Sequence, residues 1–396
     1  MPHLCTARPK PGHPMRIGIV CYPTFGGSGV VATELGMALA HKGHTVHFIT
    51  YDRPVRLRTH PNVFYHEVRV SDYPLFDYQP YELVLTSKLV DVAKFAGLDI
   101  LHVHYAIPHA SAAWMAQRIL AAEGIRLPFV TTLHGTDITL VGRDPSFEPV
   151  ITFSMERSDA VTAVSQSLRR DTFEHFPLKP LADGGRDIDV IPNFICVDQY
   201  KHKPDTGLRT RYAPNGEKLL VHVSNFRPVK RVEDVLRMFD LLRKRLPVRL
   251  LFIGDGPERQ RMENLCRHHG TCDQVEFIGK MTQPEEVVAS CDLFVLPSES
   301  ESFGLAALEA MACGVPVVSS NTGGLPEVNE HGVSGLLNDV GDVEKMAEHA
   351  FTILADEATH ERFKKGAFEV AKRFDLNVVL PRYESLYDRV RATVIA

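Results

Sequence analysis

Two glutamates, Glu301 and Glu309, bracket the stretch ESFGLAALE in an otherwise apolar neighbourhood. Leu305, Leu308 and Ala312 recur at helical spacing, and Glu309 falls one turn after Leu305, on or beside that stripe. A carboxylate in such surroundings needs a partner or a ligand. With Ser302 as N-cap the helix starts near Phe303, so Glu301 lies in the loop ahead of it. The unpaired amides of Phe303, Gly304 and Leu305 then suit a phosphate. A ribose diol would satisfy Glu309, and hydroxyls of a second sugar would engage Glu301. Together these groups fit a nucleotide-sugar. The plain alternative is a helix-start glutamate followed by one paired with an arginine or lysine.

Other candidates sit where apolar runs stop. SNFRPVKRVEDV (224–235) ends a strand and then carries Arg227, Lys230 and Arg231, cations able to neutralise a diphosphate. Helix N-termini disfavour cations, which argues against a merely solvated basic turn. FGGSG (25–29) offers Gly26, Gly27 and Ser28 for close backbone approach and a following helix start for an anion. It lacks the full Gly-x-Gly-x-x-Gly pattern, so a structural turn is the competing reading. Gly254 and Gly256 in FIGDGPE permit approach to a flat ring or a phosphate, with a simple turn as the alternative. His134, at a strand end in TTLHGTDIT, is placed for function by the topology below. His102, His104 and His109 lack a carboxylate or cysteine at ligand spacing, so no metal site is expected. Asp187-Ile188-Asp189 spells Asp-x-Asp but begins a strand, away from the carboxyl edge where such sheets bind ligands.

The elements that must position these residues alternate along the chain. A strand within 15–23, a glycine-rich loop, a helix over 30–44 and a strand over 45–50 open a doubly wound sheet. Strands at 99–104, 129–134, 160–165 and 189–193 continue it, with helices near 109–121 and 146–157. Residues 199–217 break the rhythm with charge, glycine and proline and read as a linker. The alternation restarts with strands at 218–224, 248–254, 275–279, 292–297, 315–320 and 335–338, and ends in helices near 342–355, 358–372 and 378–393.

The expected class is therefore α/β, with two Rossmann-like domains facing a cleft. Residues 15–198 form one domain and 199–377 the other. Residues 1–14, with four prolines and no apolar core, read as a disordered tail or an extension before a start at Met15, and not as a secretory signal.

Composition sets the outer bounds. The 396 residues exceed one ordinary core, and 44% hydrophobic with 23% charged residues is a globular balance. A net charge of −5 implies no general affinity for nucleic acid or membrane, so phosphate must meet a local cluster. Seven scattered cysteines without Cys-x-x-Cys point away from a disulfide framework and toward a reducing, cytoplasmic setting. No apolar run is long enough to span a bilayer. A homo-oligomer remains open.

With these residues assembled, the chain resembles the family-4 retaining glycosyltransferases of the two-Rossmann-domain GT-B type. ESFGLAALE matches that family's Glu-x₇-Glu motif, and the glycine-rich first loop, the Arg–Lys pair and GDGPE sit where the family has them. CYPTFGGSGVVATELG, HVHYAIPHA, TTLHGTDIT and PNFI are similar to the branch that glycosylates L-malate, the first step of bacillithiol synthesis. The resemblance implies transfer from UDP-N-acetylglucosamine to malate with retention and without a metal or other cofactor. It makes residues 15–198, joined by a C-terminal helix at about 378–396, the acceptor domain and residues 199–377 the nucleotide-sugar domain. It implies that Glu309 holds the ribose, Glu301 the glucosamine 3-hydroxyl, and Arg227 and Lys230 the leaving diphosphate. Gly27 and the amides near Leu305 assist, and His134 lies near the sugar 6-hydroxyl. Gly26, Ser28, Tyr105, Thr132 and Asn193 would face malate, with Arg143 a candidate for its carboxylates. The family's spacing between Arg and Lys is longer, which leaves Lys230 and Arg231 as alternatives. Another small or phosphorylated acceptor, a UDP-sugar epimerase and a non-catalytic binder are the competing readings.

Overall fold

The computed structural model describes residues 14–24, 26–71, 79–178, 185, 187–200 and 207–395. The expected tail, apart from Pro14, and part of the expected linker lie outside these residues, as does the side chain of Arg143. Contacts divide the chain into two units, residues 1–192 with 377–396, and residues 193–376.

The first unit is built on a seven-stranded parallel sheet. Its strands are β1 (Arg16–Val20), β2 (Thr45–Thr50), β3 (Val63–Glu67), β4 (Ile100–His104), β5 (Phe129–Leu133), β6 (Ala160–Ala163) and β7 (Ile188–Val190). They run in the order β3-β2-β1-β4-β5-β6-β7. Its helices are α1 (Gly27–His41), α2 (Tyr81–Ala96), α3 (Ser111–Ala122), α4 (Glu148–Arg157) and α5 (Gln166–His175). Central strands such as β4 and β5 are buried along their whole length, as expected of parallel strands covered on both faces. Leu85, Leu89 and Val92 of α2 and Ala112, Ala113 and Ala116 of α3 close one core against β4 and β5.

The second unit repeats the plan with six parallel strands in the order β10-β9-β8-β11-β12-β13. Two short helices, α6 (Val197–Tyr200) and α7 (Leu208–Tyr212), precede β8 (Lys218–Ser224), α8 (Val232–Leu242), β9 (Val248–Gly254), α9 (Arg259–His268), β10 (Val275–Gly279) and α10 (Glu285–Val288). Then come β11 (Leu293–Leu296), α11 (Leu305–Ala312), β12 (Val317–Ser320), α12 (Leu325–Val328), β13 (Gly335–Asn338), α13 (Val343–Leu354) and α14 (Glu357–Lys372). In α8, Val232, Val235, Leu236, Phe239 and Leu242 recur at helical spacing and are buried, so the helix lies on the sheet by that stripe.

The last helix, α15 (Leu376–Ile395), belongs to the first unit from Asn377 onward. Its Tyr383 and Tyr387 are fully buried, and the Tyr387 hydroxyl lies 2.7 Å from His102 Nδ1 on β4. Lys42, just after α1, donates to Glu384 at 2.7 Å.

Strand order reverses between β1 and β4 in one sheet and between β8 and β11 in the other. Loops leaving the carboxyl ends at such reversals are where α/β sheets take ligands. These are the loops that carry most of the singled-out residues. The strand β3, the long helix α2 and the short helices α6, α7, α10 and α12 were not expected. The helix after β11 also starts later than expected: Ser302 does not cap it. Gly304, at φ 98°, occupies the cap position without a side-chain bond, and helix begins at Leu305. A left-handed glycine interrupts the chain there, so the turn from Ser302 to Gly304 stays loop.

Candidate functional site

In the second unit, the reversal point brings two loops together. Glu299 N–H donates to Val229 O at 2.8 Å, and Lys230 Nζ donates to Glu301 Oε2 at 2.5 Å. Both side chains are about four-fifths buried, 20% and 18% exposed. Ser298 Oγ adds a longer contact to the same carboxylate oxygen, 3.4 Å. Arg231 instead bonds the buried Asp234 at 2.6 Å, so Lys230 is the cation that meets the motif glutamate. Arg227 is exposed.

Glu309 lies in α11 and accepts a 3.0 Å hydrogen bond from Tyr200 Oη of α6. Both residues, with Val223, Glu285, Ala306 and Cys313, line a small pocket. Helix α11 has no side-chain cap, so its first amides, from Leu305, are open at the end of the loop that holds Glu301. Phe303 is buried, its ring edge-on to Phe374 at 5.6 Å, which anchors the middle of that loop.

Two glycines that were not singled out hold the Glu301 loop from below. A β-carbon on Gly323 would lie 2.1 Å from Glu301 O, and one on Gly324 2.3 Å from Ser302 O. Gly324 N–H donates to Glu301 O at 2.8 Å. Only residues without side chains let the β12 loop run this close. The same explanation covers Gly254 and Gly256, whose β-carbons would strike Ser224 O at 1.8 Å and Asn225 O at 1.9 Å. These two glycines are required by the approach of the β9 loop to the β8 loop, before any ligand is considered.

In the first unit, Tyr105 Oη donates to Ser28 Oγ at 2.7 Å, joining the loop after β4 to the start of α1. Gly26 is the cap residue of that helix and no side chain caps it, so the end formed by Gly27 and Ser28 is open to an anion. Gly29 is pressed against Tyr22 O and Thr24 O, where a β-carbon would lie at 2.4 and 2.7 Å. Thr132 is buried in a hydroxyl–imidazole chain, 2.7 Å from His102 Nε2 and 2.6 Å from Thr162 Oγ1. His134, half-buried, has its Nε2 2.8 Å from His104 Nδ1. Burial holds His102 and His134 down to about 3 and His109 to about 4, so these imidazoles are neutral near pH 7. Neutral rings are donors and acceptors for hydroxyls, not counter-ions for carboxylates. Asn193, in the second unit, is 6% exposed and its Oδ1 has no hydrogen-bond partner.

The Asp-x-Asp carboxylates are occupied elsewhere. Asp187 takes Arg169 at 2.5 Å and Asp189 takes Arg389.

Two family descriptions match: Glycosyltransferase Family 4 over residues 25–199 and Glycosyl transferases group 1 over residues 209–370. N-acetyl-alpha-D-glucosaminyl L-malate synthase of Bacillus anthracis is 46% identical over 376 residues, 94% of this chain and 96% of that one.

The chain belongs to glycosyltransferase family 4.

Solved structures agree on the fold. Sucrose-phosphate synthase from Thermosynechococcus elongatus superposes with a TM-score of 0.77 at 22% identity, over 96% of this chain and all of that one. HepE from Anabaena, solved with UDP and glucose, gives 0.77 at 22% identity over 94% and 99%. This family-4 glycosyltransferase thus has the GT-B class of fold, two parallel Rossmann-like sheets. Among its described residues no helix is long and apolar enough to cross a membrane.

Three residues of this glycosyltransferase's candidate site escaped the sequence reading. Tyr200 stood in the stretch taken for a linker, and the Gly323–Gly324 pair was not singled out. A double glycine following a strand, aimed at a loop that carries a motif glutamate, was the available signal.

Proposed function

We propose that this chain transfers N-acetylglucosamine from UDP-N-acetylglucosamine to the hydroxyl of L-malate, with retention at the anomeric carbon. The observation that carries the reading is the near full-length, 46% identical relative named for that reaction. The Lys230–Glu301 and Tyr200–Glu309 contacts support it, because they are the contacts a nucleotide-sugar would exploit.

In the reaction, the bond from the sugar C1 to the β-phosphate oxygen breaks and its electron pair stays on phosphate. The malate hydroxyl oxygen bonds C1 on the same face, and its proton passes to a phosphate oxygen. Products are UDP and the α-glycoside. Negative charge grows on the diphosphate while the sugar becomes oxocarbenium-like. Arg227, Lys230 and the open amides at Leu305 are fixed donors for that charge, so the scheme calls for no metal and no other cofactor. Glu309 takes the ribose diol and Glu301 a sugar hydroxyl, while His134 receives the 6-hydroxyl. Gly26, Ser28, Tyr105, Thr132 and Asn193 receive the acceptor. A cytoplasmic setting is in keeping with the free thiols of all the described cysteines.

The test is an acceptor panel with UDP-N-acetylglucosamine, scored by product mass and UDP release. Malate-dependent UDP release with a glycoside of matching mass is expected. Turnover of an inositol phosphate in preference to malate, or UDP release that needs no acceptor, as from an epimerase, would overturn the reading.

A further inference from the structure

Asp137 has no role in the scheme above, yet it is a carboxylate sealed into the first unit at 2% exposure. Its Oδ2 accepts the Ala106 N–H at 3.0 Å, and its Oδ1 accepts those of Gly135 at 3.1 Å and His134 at 3.3 Å. Ala106 follows Tyr105 in the loop after β4, and His134 and Gly135 form the loop after β5. Both loops hold unusual backbone, with Tyr105 at φ 83° and Gly135 at φ 104°. A tyrosine at positive φ persists only where its surroundings hold it there.

A carboxylate suits this place for a definite reason. Its two oxygens both accept, so it can take amides arriving from opposite sides, whereas an asparagine would turn a donor toward one of them. Among the described residues no cation offsets its charge: burial opposes ionisation, backbone amides favour it, and the result is a group pushed up to about 6. Among the described residues, the phenols of Tyr22 after β1 and Tyr105 after β4 feel its charge, and His134 after β5 meets it through the backbone N–H. The two phenols are raised and the imidazole is lowered to about 3, so near neutral pH Asp137 alone among them changes charge.

We propose that Asp137 is the positioning residue of the acceptor site, clamping the β4 loop to the β5 loop so that Tyr105 and His134 are presented together. The proposal rests on the reading that Tyr105 meets the acceptor and His134 the sugar it attacks.

The test compares Asp137→Asn with the wild-type chain in steady-state kinetics from pH 5 to 8. The amide keeps an acceptor for one loop and turns a donor toward the other. The acceptor kcat/KM is expected to fall about 10- to 100-fold, while the KM for the nucleotide-sugar, which meets this clamp only through His134 and the sugar 6-hydroxyl, rises by no more than a few-fold. The acid limb of the wild-type acceptor profile near pH 6 is expected to vanish in the variant. Thermal unfolding supplies an independent sign. A raised carboxyl costs the folded state as it ionises, so the melting temperature of Asp137→Asn relative to wild type should improve as pH rises from 5 to 8. A variant with wild-type acceptor kinetics and an unchanged acid limb overturns the proposal. So does one that loses donor and acceptor parameters in equal measure. Should the variant not fold, the wild-type profile decides: an acid limb near pH 6 in acceptor kcat/KM but not in UDP binding supports the clamp, and its absence overturns it. A wild-type protein inert toward malate overturns the functional reading instead, and the same comparison is then run with whichever acceptor the panel returns.

Discussion

Lys230 and Glu301, 71 residues apart in sequence, meet at 2.5 Å where the β8 and β11 loops converge. Each neutralises the other in the free protein, and an ammonium has three protons, so Lys230 can keep Glu301 and still donate to phosphate. Lys230→Ala is expected to lower kcat on the order of 10²-fold. Arg231→Ala should behave differently, because Arg231 serves the buried Asp234. It should cost about 1–3 kcal/mol of stability and leave kcat within a few-fold. Kinetics and urea unfolding of the two variants separate the roles, and equal losses of kcat would contradict the assignment.

Arg227 offers the converse case. It is exposed, so removing it should change stability by no more than about 0.5 kcal/mol. If it meets the leaving diphosphate, Arg227→Ala lowers kcat by about 10²-fold in a protein that melts like wild type. Unchanged turnover would remove Arg227 from the mechanism.

The Tyr200–Glu309 hydrogen bond fixes the carboxylate assigned to the ribose. A hydrogen bond to a charged group contributes about 1.5–3 kcal/mol. Tyr200→Phe should therefore raise the donor KM by roughly tenfold and leave the acceptor KM alone. Isothermal titration with UDP is the direct check, and an unaltered affinity would detach Tyr200 from the site.

Gly323→Ala places a methyl group 2.1 Å from Glu301 O, at a residue whose φ is 54°. The Glu301 loop must shift to admit it. The expected outcome is lost turnover with about 1–3 kcal/mol of destabilisation. Gly43→Ala, also at positive φ but with open space around the new carbon, carries backbone strain alone and should keep full kcat. Equal kcat losses in both would show that the loop contact is irrelevant.

Stability should depend on acid in a defined direction. His102, His109 and His222 are fully buried and held at about 3, 4 and 4, below the ordinary imidazole value. Unfolded, they bind protons below about pH 6.5, whereas folded they resist until their own lower values. Their contribution is therefore complete above pH 6.5 and is lost as pH falls toward 4. Each steepens the slope by up to about 1.4 kcal/mol per pH unit in that window. Urea titrations at pH 7, 6 and 5 measure it, and a flat response would contradict the buried neutral rings.

Most of the sheet was readable because parallel strands are apolar along their whole length. TVHFIT, VRLLFIG and VEFIG mark β2, β9 and β10 to the residue. β3 was not readable: VFYHE is an edge strand, largely half-exposed and without a continuous apolar run. Helix α2 follows a stretch crowded with proline and tyrosine that hides its period. Charged residues after strand ends marked the candidate site, since strand-end position and charge are both visible in a sequence. The rest depends on what the chain packs against. Burial of Asp137, the reach of Tyr200 to Glu309, and the contact between Gly323 and the Glu301 backbone join segments far apart in sequence. Ser302 misled for a local reason: its spacing suited a cap, but the left-handed Gly304 delays the helix by two residues.

Helix α15 bears on biogenesis. Tyr387, which bonds the imidazole that touches Thr132, emerges from the ribosome only after the whole of residues 193–376 has been made. The second unit is one uninterrupted stretch and can mature during translation, while the first waits, His102 Nδ1 without its phenol, for the helix that completes it. Vectorial synthesis therefore inverts the usual order: the half that starts first finishes last.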